Sequence, residues 1–181
     1  HKLEAYVRSW NYSGQGERKD ASDLPRLGVK TYFCSNVCAM YRRDRYLELG
    51  GFSSPAIFNE DMVFAGRAVQ KGYQIAYCAQ ARVYHSHNYS FIGQFRRNFD
   101  LGVSQQMHSE IFDGVPSEGS GMKMIRDVAA QMAKKGEFWL IPGLIWVSGW
   151  KYAGYLLGRR YEHLPPALIR RITTNRTFWQ R

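Results

Sequence analysis

The sequence predicts an α/β chain, part of a mixed sheet followed by several α-helices, and three observations carry that expectation. Two stretches, 28–40 and 74–84, concentrate β-branched and aromatic residues and read as extended. Between them Met62, Val63, Ala65, Ala68 and Val69 recur at helical spacing until Gly72 ends the run. From Ser90 onward the chain reads as helical.

Residues 3–12 form a short amphipathic helix by this reading, with Leu3, Tyr6, Val7 and Trp10 on one face. Ser13 to Leu27 turns to Gly, Lys, Asp, Ser and Pro, the composition of a mobile surface connection that would serve as a lid. The stretch 28–40 reads as a strand running into a turn at Ser35-Asn36. Tyr41 to Leu49 returns to helix, and Gly50-Gly51-Phe52 closes it on αL-tolerant glycines.

Phe58-Asn59-Glu60-Asp61-Met62 then opens the next helix with two adjacent carboxylates in its first turn. The backbone N–H groups there lack helical partners and the helix dipole favours negative charge, so Glu60 and Asp61 are held ionised and oriented. A candidate catalytic base and an ordinary first-turn acid share this pattern. The 74–84 stretch reads as two short strands that deliver His85-Ser86-His87-Asn88 at their end, where α/β proteins place ligands.

Phe91, Phe95 and Phe99 repeat every four residues, a stripe for core packing. Glu118 to Lys135 is a further amphipathic helix ending at Gly136. Phe138 to Leu157 is the most apolar run, interrupted by Pro142 and Lys151. A membrane-spanning helix needs roughly 20 nearly uncharged residues, more than lie between Glu137 and Lys151, so the run is expected to be a surface-lying or buried helix pair.

With 45% hydrophobic residues among 181, the chain can bury a core, which excludes a disordered tail. A formal net charge of +10 calls for an anionic partner: a nucleotide diphosphate, an acidic membrane face or nucleic acid. Cys34, Cys38 and Cys78 are odd in number and lack Cys-x-x-Cys spacing, which suits a reducing, cytoplasmic compartment; with His85 and His87 they also miss the usual zinc spacings. The chain opens on His1-Lys2-Leu3 without a signal peptide, as a piece of something longer would.

From Phe33 to about Gln106 the order of motifs resembles the C-terminal half of the catalytic domain of family-2 inverting glycosyltransferases of GT-A fold. Asn36 to Phe52 looks like the acceptor-side segment ending in Gly-Gly-Phe, and Asn59-Glu60-Asp61 looks like the Glu-Asp motif. Gly72 to Tyr77 and Ala81 to His85 look like the strand pair leading to the family histidine. Together with His85 to Ser90 and Arg97 to Val103, these segments are similar to bacterial rhamnosyltransferases.

The resemblance implies a sugar, rhamnose by the similarity to bacterial rhamnosyltransferases, passed from a nucleotide-diphosphate donor to a polysaccharide or lipid-linked glycan with inversion. Asp61 would be the base and Glu60 its neighbour; Asn36, Gln94 and Arg97 would bind substrate. His85 would lie at a divalent metal, Mg2+ or Mn2+, near the leaving diphosphate. Gln94-Phe95-Arg96-Arg97-Asn98 matches the family's Gln-x-x-Arg-Trp with Asn in place of Trp, which favours adding a single sugar over processive polymerisation.

The family's Asp-x-Asp metal motif has no counterpart; Asp20-Ala21-Ser22-Asp23 has the wrong spacing. Residues 1–110 are therefore expected to be the C-terminal part of a GT-A domain whose donor-binding half is missing, inactive alone. Residues 111–181 would form a helical extension, peripheral on the inner face of the cell membrane through its aromatic and basic residues. The competing expectation is a non-catalytic basic module on nucleic acid or membrane, against which stands the absence of any helix-turn-helix, zinc-finger or ribonucleoprotein motif.

Overall fold

The computed structural model describes residues 2–85, 89–116 and 118–180. In order these hold α1 (Lys2–Asn11), β1 (Glu17–Lys19), α2 (Leu24–Leu27), α3 (Arg43–Glu48), α4 (Glu60–Gln70), β2 (Ile75–Tyr77), α5 (Phe91–Met107), α6 (Ser109–Phe112), α7 (Glu118–Lys134), α8 (Ile141–Arg159) and α9 (Pro166–Ile172). Among the described residues the sheet is one antiparallel pair, β1 with β2, Glu17 opposite Tyr77 and Lys19 opposite Ile75.

Several elements depart from the sequence reading. The stretch 28–40 is a 3-10 turn over Gly28–Tyr32 followed by irregular chain, not a strand. Gly28 takes a positive φ of 54° and its backbone packs against the Pro116 carbonyl, so the chain curls before its β-prone residues can pair. The second strand of the 74–84 stretch is likewise absent, with residues 78–85 carrying no regular structure. The expected lid, 13–27, is instead folded: it supplies β1 and α2. The Lys19 ammonium is buried, donating to the carbonyls of Lys30 and Phe33 at 2.8 Å each, which pins the segment just before Ser35-Asn36.

The apolar run expected as a helix pair is one helix, α8, preceded by a short 3-10 turn over Phe138–Leu140. Pro142 stands in its first turn, where its missing N–H costs nothing, and so starts the helix rather than breaking it.

Among the described residues three clusters form the core. Tyr32, Val63, Ala65, Val69, Ile111 and Phe112 pack between α4 and α6. Tyr6, Val128, Met132 and Leu144 join α1, α7 and α8. Ile57, Phe99, Val103 and Ile169 join α5 and α9 to the loop that leads into α4.

Helices α5 and α8 cross at backbone contact. A side chain at Gly154 would run into the Phe95 carbonyl, one at Gly158 into that of Phe99, and one at Gly102 into that of Tyr155. Three glycines on two helices thus fix how closely the aromatic stripe of α5 approaches α8, and Phe95 meets Trp150 edge-on at 5.8 Å.

Candidate active site

The site is built where α4 begins. Asn59, its N-cap, sits in the left-handed region at φ 65°, the one non-glycine with positive φ among the described residues. Asparagine tolerates that conformation better than most residues, and the sharp entry turns Glu60 and Asp61 back toward the turn at Asn36. The Asn59 Nδ2 is buried without a hydrogen-bond partner among the described residues. A left-handed side-chain-bearing residue with an unmatched buried donor is strain of the sort that gathers at functional sites.

Asn36 joins both carboxylates. Its backbone N–H donates to Asp61 Oδ2 at 3.1 Å and its side-chain amide to Glu60 Oε1 at 2.9 Å. The amide oxygen in turn accepts from the Tyr41 hydroxyl at 2.7 Å, which settles which way the amide faces. The Tyr41 ring packs edge-on against Phe52 at 5.3 Å and Phe64 at 5.4 Å, so an aromatic cluster rooted in α4 holds the hydroxyl in place. Burial keeps that phenol protonated well above its ordinary range, with the Cys34 thiol contact adding to the effect.

Asp61 is half-buried, and its Oδ1 accepts from the Met62 N–H at 2.8 Å. Burial raises its pKa; the N–H groups of Asn36 and Met62 oppose the rise, and the Glu60 charge adds to it. The result is a more basic carboxylate than a free aspartate, kept in one orientation, which is what proton abstraction asks of a base.

Arg97 approaches the same loop from α5. Its guanidinium lies over the Phe58 ring at 4.8 Å and the Tyr89 ring at 4.7 Å, and donates to the Tyr89 hydroxyl at 3.0 Å. Phe58 is braced again from α5, its carbonyl accepting from Ser104 Oγ at 2.7 Å. Asn36, Glu60 and Asp61 are therefore joined directly, and Arg97 reaches them through Phe58.

Gln94 and His85 stand apart from that network. Gln94 is buried in the first turn of α5, and its carbonyl accepts from Asn98. His85 is exposed; its carbonyl accepts from Arg8 of α1 at 3.0 Å, and it is not among the described donors to either carboxylate. His87 falls outside the described residues. Among the described residues no group of three or more His, Cys, Asp or Glu side chains would hold a metal ion. Cys34, Cys38 and Cys78 are free thiols.

Sequence reasoning missed Tyr41, Phe58 and Tyr89. Each is an aromatic among many, and only their contacts single them out. Asn59 carried a usable signal, an asparagine directly before a helical first turn.

No family model matches the chain, and no solved structure matches it. Among curated proteins it is similar to the O-antigen chain rhamnosyltransferase RfbN of Salmonella typhimurium and the O-antigen chain rhamnosyltransferase WbaN of Salmonella anatum. It is 37% identical to each over 180 residues, which is 98% of this chain and 56% of either relative, so the chain spans little more than half the length of the curated relatives it matches.

Proposed function

We propose that this chain is the acceptor-side part of a glycosyltransferase that moves rhamnose from a nucleotide-diphosphate sugar to a glycan or lipid-linked acceptor in O-antigen synthesis, with inversion. The observation that carries the reading is the Asn36–Glu60–Asp61 network, an oriented carboxylate of raised basicity in a chain 37% identical to two rhamnosyltransferases over nearly its whole length. Asp61 takes the proton of the attacking hydroxyl. The new bond forms from that oxygen to the anomeric carbon while the bond to the diphosphate oxygen breaks on the opposite face. Asn36 and Tyr41 keep Asp61 and Glu60 in register, and Arg97 supplies positive charge beside the loop.

A family-2 enzyme of GT-A fold remains the architecture we propose. The further strands of its mixed sheet and the donor-binding half would come from the part of the relatives' length that this chain does not span. A divalent ion, Mg2+ or Mn2+, would need most of its ligands from the same source, because the described residues do not supply them. Free thiols and a nucleotide-sugar donor both suit the cytoplasmic side.

The test is the full-length protein assayed over a panel of nucleotide-diphosphate sugars, with the anomeric configuration of the product read by NMR. Transfer of rhamnose with inversion supports the reading. Retention of configuration, or transfer of no sugar from any donor, contradicts it.

A further inference from the structure

Helix α8 turns a face to solvent that carries no charge. Its opposite side is used up internally, Gly154 and Gly158 against α5 and Leu144 in the cluster with Tyr6, Val128 and Met132. On the outer side Ile145, Trp146, Trp150 and Tyr152 stand exposed, and Phe138 and Trp139 extend the patch at the helix start. Phe138, Trp139, Ile145 and Trp146 are each between 57% and 66% exposed, far more than residues that serve a chain's own core. A contiguous apolar surface of this kind marks an interaction site.

Its chemistry points to one occupant. From Phe138 to Gly158 the sole charged residue is Lys151; exposed Lys134, Lys135 and Arg160 stand at the ends of the segment, and the one carboxylate that adjoins it, Glu137, is neutralised by exposed Lys2 at 3.0 Å. An apolar patch with a cationic rim repels a second copy of itself and complements an anionic surface, as does the chain's net charge of +10. Tryptophan and tyrosine pair an apolar ring with a polar tip, the combination suited to the headgroup boundary of a bilayer. Among the described residues no helix is long and apolar enough to cross a membrane, so the contact is one of lying on the surface.

We propose that this face of α8 docks on the anionic surface of a bilayer, its tryptophans at headgroup depth and Lys134, Lys135 and Arg160 against the lipid phosphates. The inference does not depend on sugar transfer and is read without any activity. If the proposed function holds, docking brings the site to the surface where a lipid-linked acceptor resides.

The experiment mixes full-length protein with phosphatidylcholine vesicles that either contain or lack phosphatidylglycerol. It follows cosedimentation and quenching of tryptophan emission by brominated lipid. Binding to the phosphatidylglycerol vesicles at low ionic strength, with quenching and with release by salt, is expected. Trp139→Ser combined with Trp146→Ser should lower partitioning by about tenfold or more, and Lys134→Gln with Lys135→Gln by about fivefold per residue. All four side chains are exposed, so unchanged circular dichroism will confirm that the variants fold. Absence of binding at low salt, or unchanged partitioning in the tryptophan variant, overturns the proposal. So does shielding of Trp139 and Trp146 from aqueous quencher without lipid, whether a second copy or the remainder of the longer protein covers them.

Discussion

The backbone N–H of Asn36 donates to Asp61 across 25 positions of sequence, and the Asn36 side chain adds a second bond to Glu60. The two bonds differ in what a substitution removes. Asn36→Ala keeps the N–H on Asp61 and loses the amide on Glu60, a charge-assisted bond that solvent screens to about 0.5–1 kcal/mol. Turnover should therefore fall by roughly two- to fivefold, with donor affinity unchanged. Tyr41→Phe should give a smaller loss in the same direction, because it frees the amide to rotate without deleting it. Steady-state kinetics of the full-length protein check both.

The pH dependence follows from the raised pKa of Asp61, whose first cause is burial. A base must be ionised to work, so the rate should drop as pH falls through a value above the ordinary aspartate range of about 3.9. Glu60 contributes to the rise through its like charge. Glu60→Gln should thus move the acid limb of kcat/KM to lower pH, and a shift upward would show the charge acting otherwise. For stability the sign is opposite in sense: ionising a carboxylate of raised pKa costs the folded state, so its contribution is full below the unfolded value and is lost as pH rises through the folded one.

Arg97 spans two rings and one hydroxyl, a contact set that lysine cannot reproduce. Both Arg97→Lys and Arg97→Ala should loosen the Phe58 loop. Amide hydrogen exchange at Glu60 and Asp61 should quicken, and stability should fall by about 1–2 kcal/mol. Weakened nucleotide-diphosphate binding in Arg97→Ala would add that the guanidinium also meets the donor.

Much of the helical part was legible in the sequence, because α1, α3, α4, α5 and α7 each carry an unbroken apolar period or a clear glycine stop. The stretch 28–40 was not, since its β-branched residues are curled by Gly28 against Pro116, a contact 88 positions away that no local pattern reports. Pro142 interrupts the apolar run in the sequence, and only its place in the first turn of α8 makes it a starter. At the site, Asn36, Glu60 and Asp61 were nameable from their motifs. Their hydrogen bonds, and the ring contacts that hold Arg97, come from tertiary packing.

Asp100 shows the same limit. It is fully buried on α5, accepts from Thr173 Oγ1 at 2.6 Å and the Thr174 N–H at 2.8 Å, and is also bonded by the Thr174 hydroxyl. Nothing in its sequence neighbourhood announces a lock on the C-terminal segment. Asp100→Ala leaves those donors unmatched and should cost about 1–3 kcal/mol or more in a denaturant titration.

The crossing of α5 and α8 gives a stability prediction independent of the site. Gly158→Leu forces a side chain into the Phe99 carbonyl and should destabilise by about 1–3 kcal/mol. A neutral effect in a thermal melt would mean that the helices part readily.

The role of Asp61 as base is tested by Asp61→Asn in the full-length protein, with turnover and donor affinity measured side by side. The substitution keeps the side chain's size and removes its basicity. With Asp61 as the base, turnover should fall by roughly two to four orders of magnitude while nucleotide-diphosphate binding stays nearly intact. Turnover retained with asparagine at position 61 would contradict it.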